Sequence, residues 1–195
     1  MSRIIGCQQL HIAEVLTDTA DGATFDTPVP VPAVIAIDIT DNSENVTFYS
    51  DDVVEQVIPA FSGKEVTIEL GYLDHSIESK ISGNSYENGV FIQNANATAK
   101  EYALLFRAPL SKGGFQYVCL YKGVLSRTES KYKSKEDSIE GQTVTLNGVF
   151  MPLVYNGNVA MKANSTDTQA DATIKKWFTA VQLAPTVGLR TAKEK

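Results

Sequence analysis

Histidine, cysteine and closely spaced carboxylates are the residues that most often carry chemistry, and this chain uses the first two sparingly. Its histidines are His11 and His75, and neither belongs to a metal-ligand spacing such as HxxxH. Its cysteines, Cys7 and Cys119, form no CxxC pair, and Cys119 sits in the apolar run FQYVCLYKGVL as a small hydrophobe. Asp51-Asp52 could in principle do acid–base work, but the pair falls in a polar turn between two strand candidates, where solvated carboxylates are ordinary. No GxSxG elbow, P-loop or GxGxxG is present. The expectation is a protein that is not an enzyme, with no catalytic residue, metal or cofactor.

What the chain has instead is an uneven distribution of charge. Residues 38–58, DITDNSENVTFYSDDVVEQVI, carry Asp38, Asp41, Glu44, Asp51, Asp52 and Glu55 with no Lys or Arg among them, and none occurs between Arg3 and Lys64. Calcium is the rival explanation for such a stretch. The order Asp38-x-x-Asp41-Asn42-x-Glu44 lacks the central glycine and the final glutamate of an EF-hand loop, and Asp18-x-x-Asp21-Gly22 reads better as a hairpin turn. Residues 1–80 hold fourteen acids and three bases, a net of −11, whereas residues 81–195 hold nine acids and fourteen bases, a net of +5. Lys131, Lys133 and Lys135 in KYKSKE alternate at period two. They fit a solvated hairpin tip, or a contact for the acidic part of another copy. The net charge of −6 argues against tight nucleic-acid binding, which needs cations on phosphates.

The chain of 195 residues is 43% hydrophobic, enough to build a core. No apolar run reaches the roughly 18 residues that span a bilayer, and MSRIIGCQQLHIAEVL lacks the apolar core of a secretory signal. The three glycosylation sequons at Asn45, Asn96 and Asn164 therefore carry little weight. The expectation is folding in a reducing cytoplasm.

The elements that must position these residues read mainly as β. LHIAEVLTDTADGATFDTP gives two strands around Asp21-Gly22. AVIAIDIT sets Val34, Ala36 and Asp38 against Ile35, Ile37 and Ile39, the alternation of a half-buried strand. NVTFYS and KEVTIELGY are further strands, the latter with Val66, Ile68, Leu70 and Tyr72 on one side. LDHSIESKISG spaces Leu73, Ile77 and Ile81 as one helix stripe, with Gly83 to cap it. SYENGVFI turns at Asn88-Gly89, and EYALLFRAPLSKGGFQYVCLYKGVL is a long hairpin around Lys112-Gly113-Gly114. In TVTLNGVFMPLV, Gly148 suits a bulge. Near the end, Ala170, Ile174, Trp177, Phe178 and Val181 share one face of a helix of about 15 residues, roughly 22 Å long. The expected fold is an antiparallel β-sandwich or barrel of about eight strands with one short helix and a packed C-terminal α-helix. The expected organisation is one domain over 1–186, with a long acidic loop at about 40–63 and the C-terminal helix at about 168–182. Residues 187–195 read as a flexible tail.

The ordered series DGATFDTPVPVPAVIAIDI, TFYSDD, GKEVTIELGYL, SYENGVFIQNANATAKEYALLFRAPL, DSIEGQTVTLNG and KKWFTAV resembles the major tail tube proteins of long-tailed, non-contractile bacteriophages, over about residues 8–182. That resemblance implies a β-sandwich or barrel flanked by a helix. It also implies six copies per ring, rings stacked head to tail through long loops and terminal arms, and DNA passing through the lumen without specific binding. Its implied partners are the chain itself, a tape-measure protein that fixes length, and tail terminator and distal tail proteins. It implies further that no membrane is involved and that the location is the virion tail, made in the host bacterial cytoplasm. On this view Asp41, Glu44, Asp51, Asp52 and Glu55 line the lumen or reach the next ring. Phe48 and Tyr49, with Val53, Val54 and Ile58, are apolar anchors buried only against a neighbour, and Lys131, Lys133 and Lys135 contact another copy. The alternatives are a β-sandwich adhesin or carbohydrate-binding module, an enzyme on a jelly-roll scaffold, and the tube protein of a contractile injection system. The carbohydrate-binding reading predicts a flat row of exposed aromatics, which a sole tryptophan on an amphipathic helix disfavours.

Overall fold

The computed structural model describes residues 2–50, 53–128 and 143–184. In chain order the strands are β1 (Gln8–Thr19), β2 (Gly22–Phe25), β3 (Val29–Pro30), β4 (Val34–Ser50) and β5 (Val53–Leu70). After helix α1 (His75–Ser82) come β6 (Ser85–Glu87), β7 (Val90–Ile92), β8 (Glu101–Pro109), β9 (Phe115–Arg127), β10 (Val144–Met151) and β11 (Ala160–Asn164). The short helix α2 (Asp171–Ile174) closes the series. All pairings are antiparallel, in the order β2-β1-β8-β9-β10-β5-β4, with β3 beside β1 and β11 beside β9; β6 and β7 form a separate ribbon. The fold is a mainly antiparallel β-sandwich with one short helix and a packed C-terminal helical segment.

The sheet is a wall with a core on each side. Along β8, Tyr102, Leu104 and Phe106 enter one cluster with Val66, Ile68, Leu70, Leu146 and Phe150, and the helix α1 covers it with Ile77 and Ile81. Ala103 and Leu105 point the opposite way, into a second cluster with Tyr117, Cys119, Tyr121 and Trp177. Burial on both faces explains why β8 and β9 read as nearly unbroken apolar runs rather than alternating ones. Strand β9 also divides its second edge. Its residues 122–127 pair with β10 and its residues 116–120 with β11, so β10 and β11 are one line of pairing interrupted by the excursion 152–159.

Helix α1 follows from its termini. Asp74 accepts a hydrogen bond from the Ser76 amide at 2.7 Å, and Gly83 takes φ +70°, where a Cβ would collide with the Thr98 carbonyl oxygen. Leu73, Ile77 and Ile81, the expected stripe, are all buried. The C-terminal segment departs from expectation. Instead of a continuous helix over about 168–182, a 3₁₀ turn at Thr168–Ala170 leads into α2, and tight turns continue to Ala180. Trp177 donates its amide to the Ile174 carbonyl and Thr179 to that of Lys176, the i→i−3 pattern. Thr168, Thr173, Ile174 and Thr179 are poor helix formers, so docking of Trp177, fully buried against Tyr117, sets the path instead of local propensity. Residues 187–195, read as a tail, lie outside the described residues.

The acidic segment at about 40–63 is not a loop. Strands β4 and β5 pair without a gap from Val34↔Leu70 to Ser50↔Val53. The β-branched and aromatic residues Val46, Thr47, Phe48, Tyr49, Val53, Val54, Val57 and Ile58 favour a ladder, and the cross-strand bonds hold the intervening acids within it. The alternation expected for β4 is also broken once. Between Val34↔Leu70 and Ala36↔Glu69 the register slips, so Ile35 is an extra residue and is 53% exposed, while Ile37 and Ile39 pack on the core.

A candidate assembly surface

Three features converge around β4 and β5. The first is length without support. Strand β10 pairs with β5 from Leu70 only to Lys64, opposite Phe150. Beyond that point the hairpin, residues 43–50 and 53–61, has no third strand among the described residues. At about 3.3 Å per residue it reaches roughly 26 Å past the sheet. A two-stranded ribbon is marginal in water unless something covers it.

The second feature is the edge. Strand β4 ends the sheet, so along its 17 residues one row of backbone donors and acceptors has no strand partner among the described residues. Beside its first half lies an apolar groove of about 380 Å³, walled by Ile4, Ile35, Ile37, Phe106 and Val118, with Asp38 and Lys162 also lining it. Ile4 and Ile35 are more than half exposed. The Cys7 thiol donates to the Ile35 carbonyl across this groove at 3.5 Å, and burial followed by the charge of Asp38 pushes that thiol above its usual pKa.

The third is the outward face of β4, β5, β10 and β9. Register sets Thr40, Glu65, Val149, Val124 and Glu101 in one cross-strand row and Asp38, Thr67, Asn147 and Ser126 in the next. Glu69 follows beside Ala36 and Thr145. Four carboxylates therefore share a face of hydroxyls and amides. Lys122, a cation on that face, is bound to Asp18 at 2.9 Å and lies 3.5 Å from Glu101. Burial would raise the pKa of Asp18, but the amides of Val154 and Tyr155 and the Lys122 ammonium outweigh it and hold the carboxyl below its usual value.

The residues singled out in the sequence are only partly brought together. Asp41 is not uncompensated: it ion-pairs with Lys64, its cross-strand partner just outside the acidic stretch, and Lys64 also sits 5.5 Å over the Phe61 ring. For Glu44, Phe48, Tyr49 and Glu55 the backbone places Glu44 opposite Ala60, Phe48 opposite Gln56 and Tyr49 opposite Val54, with Glu55 the extra residue between the last two pairs. Asp51 and Asp52, and Lys131, Lys133 and Lys135, lie outside the described residues. The sequence reading missed Glu65, Glu69 and Glu101 as a group. Alternation in KEVTIELGY already put Glu69 on the polar side, but only strand pairing sets it beside Asp38.

The histidines have packing roles. His11 packs at a tilt against Phe178 with centroids 4.5 Å apart, and His75 lies 3.2 Å from Glu78 and stacks on Phe91. Burial pushes the Cys119 thiol upward, away from the reactive thiolate. Among the described residues no group of three or more His, Cys, Asp or Glu is placed to hold a metal ion, and no helix is long and apolar enough to cross a membrane.

No protein-family model matches the chain, and no curated protein matches it. A solved structure similar to it is the tube terminating cap of the anti-feeding prophage, with a TM-score of 0.43 and 9% identity over 80% of this chain and 89% of that one.

Proposed function

We propose that this chain is a non-enzymatic structural subunit of a bacteriophage tail tube, assembling with copies of itself into stacked, six-membered rings. The observation that carries this reading is the long edge of β4, open among the described residues and continued by an arm that there stands on two strands alone. An exposed edge of this length invites aggregation unless it is joined. A heterologous edge-to-edge contact that closes by rotation joins every such edge, and stacking then yields an open-ended tube. The partner edge in this reading is β11, whose outer side has no strand among the described residues. The arm meets the next ring, covering its apolar positions there.

The same arrangement gives the acids a purpose. Joined around a ring, the face of Asp38, Glu65, Glu69 and Glu101 forms a negative inner wall. Such a wall repels phosphate over about 10 Å at 0.1 M salt, so DNA slides through without adhering. By the resemblance, a tape-measure protein sets the length, terminator and distal tail proteins close the ends, and the particle is a virion with a non-contractile tail. Negative-stain microscopy of concentrated protein tests this. Hollow rings or tubes are expected, together with their loss in Ile35→Lys, which places a charge in the edge groove. A monodisperse monomer at all concentrations contradicts it.

A further inference from the structure

The point where the arm leaves the sheet is more elaborate than a strand that outruns its neighbour. Register runs Asp41↔Lys64, Asn42↔Gly63, then Ser43↔Phe61, so Ser62 is an extra residue with no partner in the ladder. Its hydroxyl donates instead to the Asn42 carbonyl at 3.1 Å. Gly63 takes φ +141°, and a Cβ there would lie 2.5 Å from the Phe150 carbonyl oxygen, so only glycine fits beside the last residues of β10. Flanking the bulge, Lys64 binds Asp41 across the ladder and lies over the Phe61 ring. A bulge bends its strand and raises the local twist. Here a bulge, an obligatory glycine, an ion pair and a cation–π contact fall within four consecutive residues of β5 and their partners.

We propose that this is a joint. The Ser62 bulge and Gly63 set a bend between sheet and arm, and the Asp41–Lys64 pair with Phe61 holds the arm at that angle. The joint is a property of the single subunit. Its consequence, that the angle aims the arm at the next copy, rests on the tube reading. Deleting Ser62 is a clean probe, because every other cross-strand pair keeps its partner and its face, and only the bend is removed.

The test uses double electron–electron resonance on the monomer, with nitroxides at Thr47→Cys on the arm and at Glu101→Cys on β8, which lies to the side of the joint in the cross-strand row of Thr40 and Glu65, in a Cys7→Ser background. Both label sites lie outside the segment that the deletion shortens, and Cys119, fully buried, does not label. The wild type is expected to give one narrow distance distribution. Deletion of Ser62 is expected to move its mean by about 3 Å or more, because a ~16 Å lever turned through roughly 20° swings about 5 Å and Glu101 views that swing from about 19 Å to the side, four strand spacings from β4. Lys64→Gln is expected to broaden the distribution around an unchanged mean. An unmoved mean in the deletion, an unbroadened Lys64→Gln distribution, or a wild-type distribution as wide as an unfolded chain's overturns the joint. If the deletion does not fold, the widths of wild type and Lys64→Gln decide. Failure to form tubes with the distances as expected leaves the joint standing and counts against the tube reading.

Discussion

The β8–β9 wall and the β4–β5 arm are both antiparallel hairpins of this chain, and their sequences solve opposite problems. In the wall, Ala103, Leu104, Leu120 and Tyr121 are fully buried, and alternate residues enter different cores. In the arm, acids and apolar residues are interleaved, and no third strand supports either edge among the described residues. The wall is covered within one subunit, while the arm has no covering strand among the described residues. The same preference of β-branched and aromatic side chains for a pleated surface underlies both. The difference is whether the surface that covers them is supplied by the chain itself.

The largest expected effect that sharpens this contrast is in the body. Trp177→Ala removes the largest fully buried side chain and leaves a cavity against Tyr117, so it should cost about 3–5 kcal/mol in urea unfolding. A loss below 1 kcal/mol would mean that the C-terminal turns are not part of the core. Next is Asp18, with 3% side-chain exposure, which holds Lys122 and the amides of Val154 and Tyr155. Asp18→Asn should cost about 2–3 kcal/mol at pH 7 by leaving Lys122 and those amides underserved.

The pH dependence of that effect has a defined sign. The folded-state pKa of Asp18 lies below its unfolded value. Its contribution is therefore fully present above the unfolded value, near pH 4, and is lost as pH falls through the folded one. The stability difference between wild type and Asp18→Asn should shrink in acid; a gap that is constant from pH 7 to pH 2 would assign it to packing instead.

The smallest expected effect on the monomer belongs to the arm. Val53→Ser, at a position that is 66% exposed, should change monomer stability by less than about 0.5 kcal/mol while abolishing tube growth. A loss as large as that of Trp177→Ala would erase the distinction between the two regions. Lys substitutions at Glu65 and Glu69 together should leave the fold and the tubes intact and slow the passage of DNA, read as ejection rate in infected-cell or triggered-particle assays.

Much of the wall was legible in sequence. The runs EYALLFRAP and FQYVCLYKGVL, the turn at Gly113-Gly114 and the stripe of Leu73, Ile77 and Ile81 each signal their element through period and cap alone. What escaped depended on pairing. The stretch from Asp41 to Gly63 carries charges at a density that suggests a loop, and only the cross-strand ladder keeps it extended. The C-terminal helix escaped for the converse reason, since an amphipathic pattern at 170, 174, 177 and 181 matches a long helix, but burial of Trp177 is reached through tighter turns. Of the candidate site, the charge imbalance was visible, yet the neutralisation of Asp41 by Lys64 and the shared face of Asp38, Glu65, Glu69 and Glu101 required register. Bulges at Ile35, Glu55 and Ser62 leave no mark in composition, because one extra residue in a β-rich run looks like any other.

Hydrogen–deuterium exchange compared between the dilute monomer and concentrated protein tests the division of labour most directly. In the monomer, amides of β8 and β9 should be strongly protected and those of residues 43–61 should exchange at least about 100-fold faster. On concentration, protection should rise in the arm and along the outer edge of β4, with β8 and β9 unchanged. An arm already as protected as β8 in the monomer, or one that gains nothing at any concentration, would contradict a subunit completed by its own copies.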